Sequence, residues 1–173
     1  GKLTISAAEN TSTDTINGNI TISAGTLTKT ITVAQSGVSV GGGTEVTASV
    51  TMANLGYANA AAVKEVKIDD NVTVKFAQGK SSTAPAFYTS GNAVRLYQNG
   101  ATMTVTANGK TIKSIEIKFA QSHYYMAPNC GEFSAEGDTR VWTGDATEIL
   151  FTTTGTDKNH RAYIAAMSVT YID

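Results

Sequence analysis

A chain of 173 residues with 41% hydrophobic and 16% charged side chains holds material for one good core, or for one main domain plus a fragment. Thirteen Lys and Arg are scattered among fourteen Asp and Glu, for a formal net charge of −1, which excludes the basic stripe that a nucleic-acid surface needs. No apolar run approaches the roughly 20 residues that a bilayer core demands, so membrane insertion by a helix is excluded as well.

Cys130 is alone, so the chain has no intrachain disulfide. Set beside the distant His123 and His160 it offers a thiol and a base on paper, but a small, semi-buried residue is the simpler reading. No CxxC or HxxxH spacing assembles a zinc site. Gly1 opens in mid-pattern, as though a leader, an upstream segment or a tag had been removed. With the low-charge, Thr- and Gly-rich composition, this leads to the expectation of an exported protein at the cell surface or in the periplasm, with lipid anchoring through a missing leader as one route.

From Lys2 to Ser36 the pattern predicts three strands. Leu3 and Ile5, then Ile20 and Ile22, then Ile31 and Val33 each alternate with Thr or Ser, and Ala24-Gly25-Thr26 joins the last two as a hairpin. Asn10 to Asn17 reads as a loop. So few residues cannot bury enough apolar surface to fold alone. The runs Ala8-Glu9-Asn10-Thr11-Ser12, Asn19-Ile20-Thr21-Ile22-Ser23 and Leu27 to Gly37, which ends in Val33-Ala34-Gln35-Ser36-Gly37, resemble the closing strands of the BACON domain, a small β-sandwich of gut-bacterial surface proteins. The resemblance covers residues 2–37. It implies a partial BACON-like set of strands that pack on the following domain or self-associate with another copy of the chain.

Residues 38–44 contain Gly41-Gly42-Gly43 and read as a flexible linker, with the main domain at residues 45–173. Glu45 to Met52 alternates. Ala53 to Val63, with its Ala60-Ala61-Ala62 run, predicts one or two helical turns. Val66 and Ile68 lead through Asp69-Asp70-Asn71 into Val72, Val74 and Phe76, a strand–turn–strand unit. Asp69 and Asp70 also bring the oxygen atoms that calcium favours, without the regular donor spacing of an EF-hand loop, so a turn is the preferred reading and no cofactor is expected.

Ala84 to Gly100 concentrates what is scarce elsewhere: Pro85, Phe87, Tyr88, Tyr97, and Arg95 between two aliphatic residues. Pro85 and Gly91 restrict the loop that carries Tyr88 and Asn92. Along the strand that follows, Val94 and Leu96 point one way, and Ala93, Arg95 and Tyr97 the other. If the aliphatic pair is buried, Arg95 and Tyr97 are displayed together, an aromatic face for sugar C–H groups beside a guanidinium fork for hydroxyls or a carboxylate. The alternative is a structural bond from Arg95 to a loop carbonyl, with Tyr97 covering the sheet edge. Both readings stand at this level.

Asn108-Gly109 between alternating runs is the strongest hairpin signal in the chain, joining Met103 and Val105 to Ile112, Ile115, Ile117 and Phe119. Residues 121–146 read as irregular and carry Tyr124, Tyr125, Phe133 and Trp142. Tyr124 lies in a displayed aromatic loop of which alternation buries at least one member, and Trp142 is either an exposed platform or a core residue. Ile149 and Phe151, then Met167, Val169 and Tyr171, are the last strands, after a polar loop from Thr154 to His160. Nine or ten short strands predict an all-β, antiparallel β-sandwich of jelly-roll or carbohydrate-binding-module type.

In that domain Leu55-Gly56-Tyr57-Ala58-Asn59, Ala84 to Tyr97, Ile112-Lys113-Ser114-Ile115 and Trp142-Thr143-Gly144 resemble a recurrent module of exported gut-bacterial proteins. The resemblance implies a sandwich akin to carbohydrate-binding and adhesion modules. Glu132, Glu136, Asp138, Asp145 and Glu148 are the acids available for glycosidase chemistry, but no pair of them is marked by its surroundings, and there is neither a G-x-S-x-G elbow nor a phosphate-loop lysine. The expectation is a non-catalytic module that binds a polysaccharide or a glycoprotein glycan through Tyr88, Asn92, Arg95, Tyr97, Tyr124 and Trp142. A structural or adhesive domain contacting protein or its own copies is the competing reading.

Overall fold

Branching at Cβ fits threonine, valine and isoleucine to a pleated sheet, and the computed structural model of this Thr-rich chain is built of antiparallel strands. It describes residues 6–12, 14–36, 43–134 and 137–173. Two compact units are distinguished, Gly1–Gly42 and Gly43–Asp173.

In the first unit β1 (Ile16–Ala24) pairs with β2 (Leu27–Gln35) in the register Ile20↔Ile31. The expected turn closes the ribbon, with Gly25 at φ 62°, a left-handed conformation that costs glycine little. Leu3 and Ile5, the predicted first strand, lie outside the described residues, as do linker residues 38–42. Strand alternation gives the ribbon two unlike faces: Ile16, Ile20 and Ile22 lie with Leu27, Ile31 and Val33, whereas Thr21 and Ser23 lie with Thr28 and Thr30. The preceding loop is tied to β2 by Asn10, a buried side chain whose Nδ2 donates to the Asp14 and Gln35 carbonyls while its Oδ1 accepts from Ser12.

In the second unit the strands are β3 (Glu45–Thr51), β4 (Glu65–Lys67), β5 (Thr73–Ala77), β6 (Ala86–Tyr88), β7 (Ala93–Leu96), β8 (Thr102–Thr106), β9 (Ile112–Tyr124), β10 (Met126–Pro128), β11 (Glu132–Phe133), β12 (Thr139–Ala146), β13 (Glu148–Thr153) and β14 (Ala162–Ile172). One sheet has the order β10-β13-β8-β5-β4. The other runs β11-β12-β9-β14-β7-β6, and β3 pairs with the second half of β14 on the edge whose first half carries β7. All pairings are antiparallel. The sheets close on one core, with Val74, Phe76, Met103, Val105, Ile149 and Phe151 from the first and Leu96, Ile115, Ile117, Trp142, Ile164 and Val169 from the second. The unit is an antiparallel β-sandwich.

Three local expectations are corrected. The alanine run is not helical. A 3₁₀ turn covers only Met52–Leu55, and beyond it Ala60 and Val63 donate their amides to Phe87 and Pro85 carbonyls while Phe87 returns one to Ala61. Those segment-to-segment bonds occupy the donors that a helix would use, and tertiary pairing overrides propensity. The Asn108-Gly109 turn forms, with φ 49° and 81° and a Lys110-to-Ala107 hydrogen bond, but its strands do not pair. β8 belongs to one sheet and β9 to the other, so the turn is a corner between layers. Residues 121–146, expected to be irregular, hold β10, β11, β12 and the end of β9. The bulge between Thr143 and Ala146 breaks the alternation by which β12 is recognised in sequence.

Trp142 is fully buried, and its indole Nε1 donates to the Cys130 carbonyl at 2.6 Å. Cys130 itself is exposed. Glycines make room for the ring: a Cβ on Gly131, at φ 72°, falls 2.7 Å from the Thr143 carbonyl and against the indole, and one on Gly144 falls 2.8 Å from the ring edge. Gly131→Ala is therefore expected to lower stability by about 2–3 kcal/mol, as steric conflict and a left-handed φ combine. Gly109→Ala, whose Cβ meets open space, is expected to cost roughly 1 kcal/mol. Chemical denaturation followed by the fluorescence of Trp142 measures both.

Candidate functional site

The residues predicted to be displayed on Ala84–Gly100 are placed by β6 and β7. Val94 and Leu96 are fully buried, which turns Arg95 and Tyr97 to the outer face. Cross-strand register sets their neighbours: Arg95 lies opposite Ala86 on β6 and Tyr163 on β14. The backbone of Tyr97 is held from the interior, where the buried Thr153 hydroxyl donates to its carbonyl at 2.9 Å and accepts from the Gly100 amide at 3.1 Å.

The outer face then assembles as a stack. The Arg95 guanidinium lies over the Tyr88 ring at 4.1 Å and over the Tyr163 ring at 4.5 Å, both within the range of a cation–π contact. His123 stacks on Tyr163 at 4.2 Å. Tyr97 donates its hydroxyl to that of Tyr88 at 2.9 Å, and the Arg161 guanidinium lies 5.0 Å from the Tyr97 ring. Arg161 is aimed by Gln98, which accepts from its Nε at 3.3 Å, and by the Tyr163 hydroxyl, which accepts from Nη1 at 3.5 Å. Tyr163 thus touches both arginines. Tyr88, Arg95, Tyr97, His123 and Arg161 are half-buried, so their packing is fixed while their edges meet solvent.

Arg95 makes the structural bond and still faces outward. Its Nη2 donates to the Ser90 carbonyl at 3.0 Å, the structural bond, yet Nη1 has no partner among the described residues, and Nε is buried without one. Such an unsatisfied donor is uncommon in a folded protein.

A kink in β9 brings His123 to this face. The register slips between Ala162↔Tyr124 and Ile164↔Phe119, and Gln121 and Ser122 adopt φ 57° and 53°, a region costly for residues with a Cβ. The extra residues lean on the turn after β6, where Gln121 donates to the Ser90 hydroxyl at 3.2 Å.

Other predicted site residues lie elsewhere. Asn92 is exposed, and at φ 49° it serves the β6–β7 turn. Trp142 is in the core. Tyr124 pairs with the inward-facing Ala162, packs edge-on against Phe119 at 6.4 Å, and carries Arg140 4.3 Å above its ring, so it belongs to the inner side of the sheet. Alternation along a bulged strand cannot assign such positions. Asp69 is committed to its turn, its Oδ1 accepting from the Asn71 and Val72 amides and its Oδ2 from the Tyr171 hydroxyl. Among the described residues no three His, Cys, Asp or Glu side chains are grouped to hold a metal ion. Glu132, Asp138, Asp145 and Glu148 are exposed, Asp145 pairs with Lys113, and Glu136 lies outside the described residues.

Tyr163 and Arg161 are absent from the sequence-based selection, and His123 is not among its ligand-binding candidates, entering only as a base beside Cys130 and as a neighbour of Tyr124. The one available signal was the run Arg161-Ala162-Tyr163-Ile164, which repeats the alternation of Arg95-Leu96-Tyr97. Comparison of the chain with protein-family models, with curated proteins and with solved structures finds no match.

The Tyr97 hydroxyl is pushed up from its ordinary pKa of 10.0 to about 12, first by burial and then by its hydrogen bond to Tyr88, against the opposing pull of Arg161 and Arg95. The raised pKa favours the protonated phenol in the folded state. Its contribution to stability is complete below the unfolded pKa of about 10 and drains away as the pH rises through about 12. Urea midpoints measured across that window should therefore fall less steeply for Tyr97→Phe than for the parent chain.

Proposed function

We propose that the Gly43–Asp173 sandwich is a non-catalytic binding module of an exported protein, and that its ligand is a glycan taken by the outer face of β6, β7 and β14. The observation that carries this reading is the Arg95 guanidinium stacked with Tyr88 and Tyr163, with its Nη1 left without a partner among the described residues. A sugar ring needs an apolar face for its C–H groups and in-plane donors for its hydroxyls. Aromatic rings locked by stacking supply the first at little entropic cost, because nothing has to be ordered on binding.

The module is tested by screening plant and host polysaccharides, followed by titration calorimetry. Tyr88→Ala and Arg95→Ala variants that keep the parent's cooperative unfolding should bind at least roughly tenfold more weakly, about 1.4 kcal/mol. Failure of every glycan to bind, or affinity unchanged in these variants, overturns the reading.

A second reading, adhesion through contacts between copies, is favoured by the first unit. Among the described residues its two-stranded ribbon has unpaired edges, and on one face Leu27 is 76% and Ile16 54% exposed. Sedimentation should then show a mass that rises with concentration, and Ile31→Lys should hold it at the monomer. A constant monomer mass in the parent chain rejects this version.

A further inference from the structure

Charge on the candidate face is unbalanced, although the chain as a whole is nearly neutral. The ion pairs formed among the described residues are Lys110–Asp173 and Lys113–Asp145, both away from this face. Among the described residues neither Arg95 nor Arg161 has a carboxylate within ion-pairing distance. Their described partners are neutral: the Ser90 carbonyl, the Gln98 amide oxygen, the Tyr163 hydroxyl and three tyrosine rings. Arginine prefers bidentate contact with a planar anion, and a stacked guanidinium keeps its in-plane N–H groups free for one. Those groups are present: Nη1 of Arg95 and Nη2 of Arg161 have no protein partner among the described residues, and the Tyr163 side chain contacts both guanidinium groups.

From this, resting on the glycan reading above, we infer that the ligand carries a carboxylate: the face selects a uronic-acid residue of an acidic polysaccharide, with the sugar ring on the tyrosines and its carboxylate on Arg161 and Arg95. Neutral sugars would leave two guanidinium groups without a counter-charge. A sulfate ester has the same charge but presents tetrahedral oxygens, so it matches the planar fork less well.

The experiment compares unsulfated uronate polymers (polygalacturonate, alginate, hyaluronan), polygalacturonate after full methyl esterification, neutral glucans and galactans, and dextran sulfate, by titration calorimetry at low and high salt. The ester keeps every sugar and removes only the charge. The expected result is binding to at least one uronate polymer, weakened about tenfold or more where its acid is esterified, and weakened again by salt. Arg161→Gln, which gives up two part-buried bonds to neutral side chains, should weaken acid binding to the same degree while leaving the unfolding midpoint within a few degrees, and Arg161→Lys should recover part of it. Equal binding of acid and ester, or binding of neutral polymers alone, overturns the inference and leaves the glycan reading standing. Stronger binding of dextran sulfate than of any uronate overturns the selection of a carboxylate. Failure of all these polymers, charged and neutral, defeats both.

Discussion

Everything in the sandwich depends on β14. Eleven residues long, it pairs with β9 along one edge and with β7 and then β3 along the other. Its register against β9 shifts along its length, so its two halves meet the core in different phase. The slip lies around Ala165 and Ala166. Ala162 and Ile164 face inward before it and Met167, Val169 and Tyr171 after it, so both halves feed the core although a strict period of two would expose one of them.

The same irregularity builds the candidate site. With Ile164 inward, Tyr163 is forced outward, opposite Arg95. It is nevertheless only 4% exposed, because Arg95 and His123 cover it. An aromatic ring on the outer face of a sheet, covered by a cation and an imidazole, is a rigid support for the groups around it. The kink at Gln121 and Ser122 delivers the imidazole, so two departures from regular pairing on neighbouring strands converge on one surface. Strained backbone near functional surfaces is a recurring association, and here it sets an imidazole of β9 against a ring of the neighbouring β14.

The interior works differently. Trp142, Gly131, Gly144 and the Cys130 carbonyl form a closed set in which the ring fills the space left by two missing Cβ atoms. This accounts for the Trp-Thr-Gly run of the sequence through packing. All three arginines of the chain lie over tyrosine rings, but Arg140 does so on the inward side, above Tyr124 and near Phe133. Cation–π geometry by itself therefore does not mark a surface as a site. What distinguishes Arg95 and Arg161 is that their neighbourhood faces outward.

Alternation of apolar and polar residues determined much by itself: the all-β class, the β1–β2 and β4–β5 hairpins, and the burial of Val94 and Leu96 that turns Arg95 and Tyr97 outward. These follow from a period of two and from local turn chemistry, which need no knowledge of distant residues. Tertiary structure alone decided that Asn108-Gly109 joins two sheets, that Ala60-Ala61-Ala62 runs beside β6, that Trp142 is enclosed and Tyr124 faces inward, and that Tyr163, Arg161 and His123 complete the outer face. Each of those outcomes depends on hydrogen bonds or contacts between segments far apart in the chain, or on a bulge that shifts the phase of alternation. A local pattern carries no information about either.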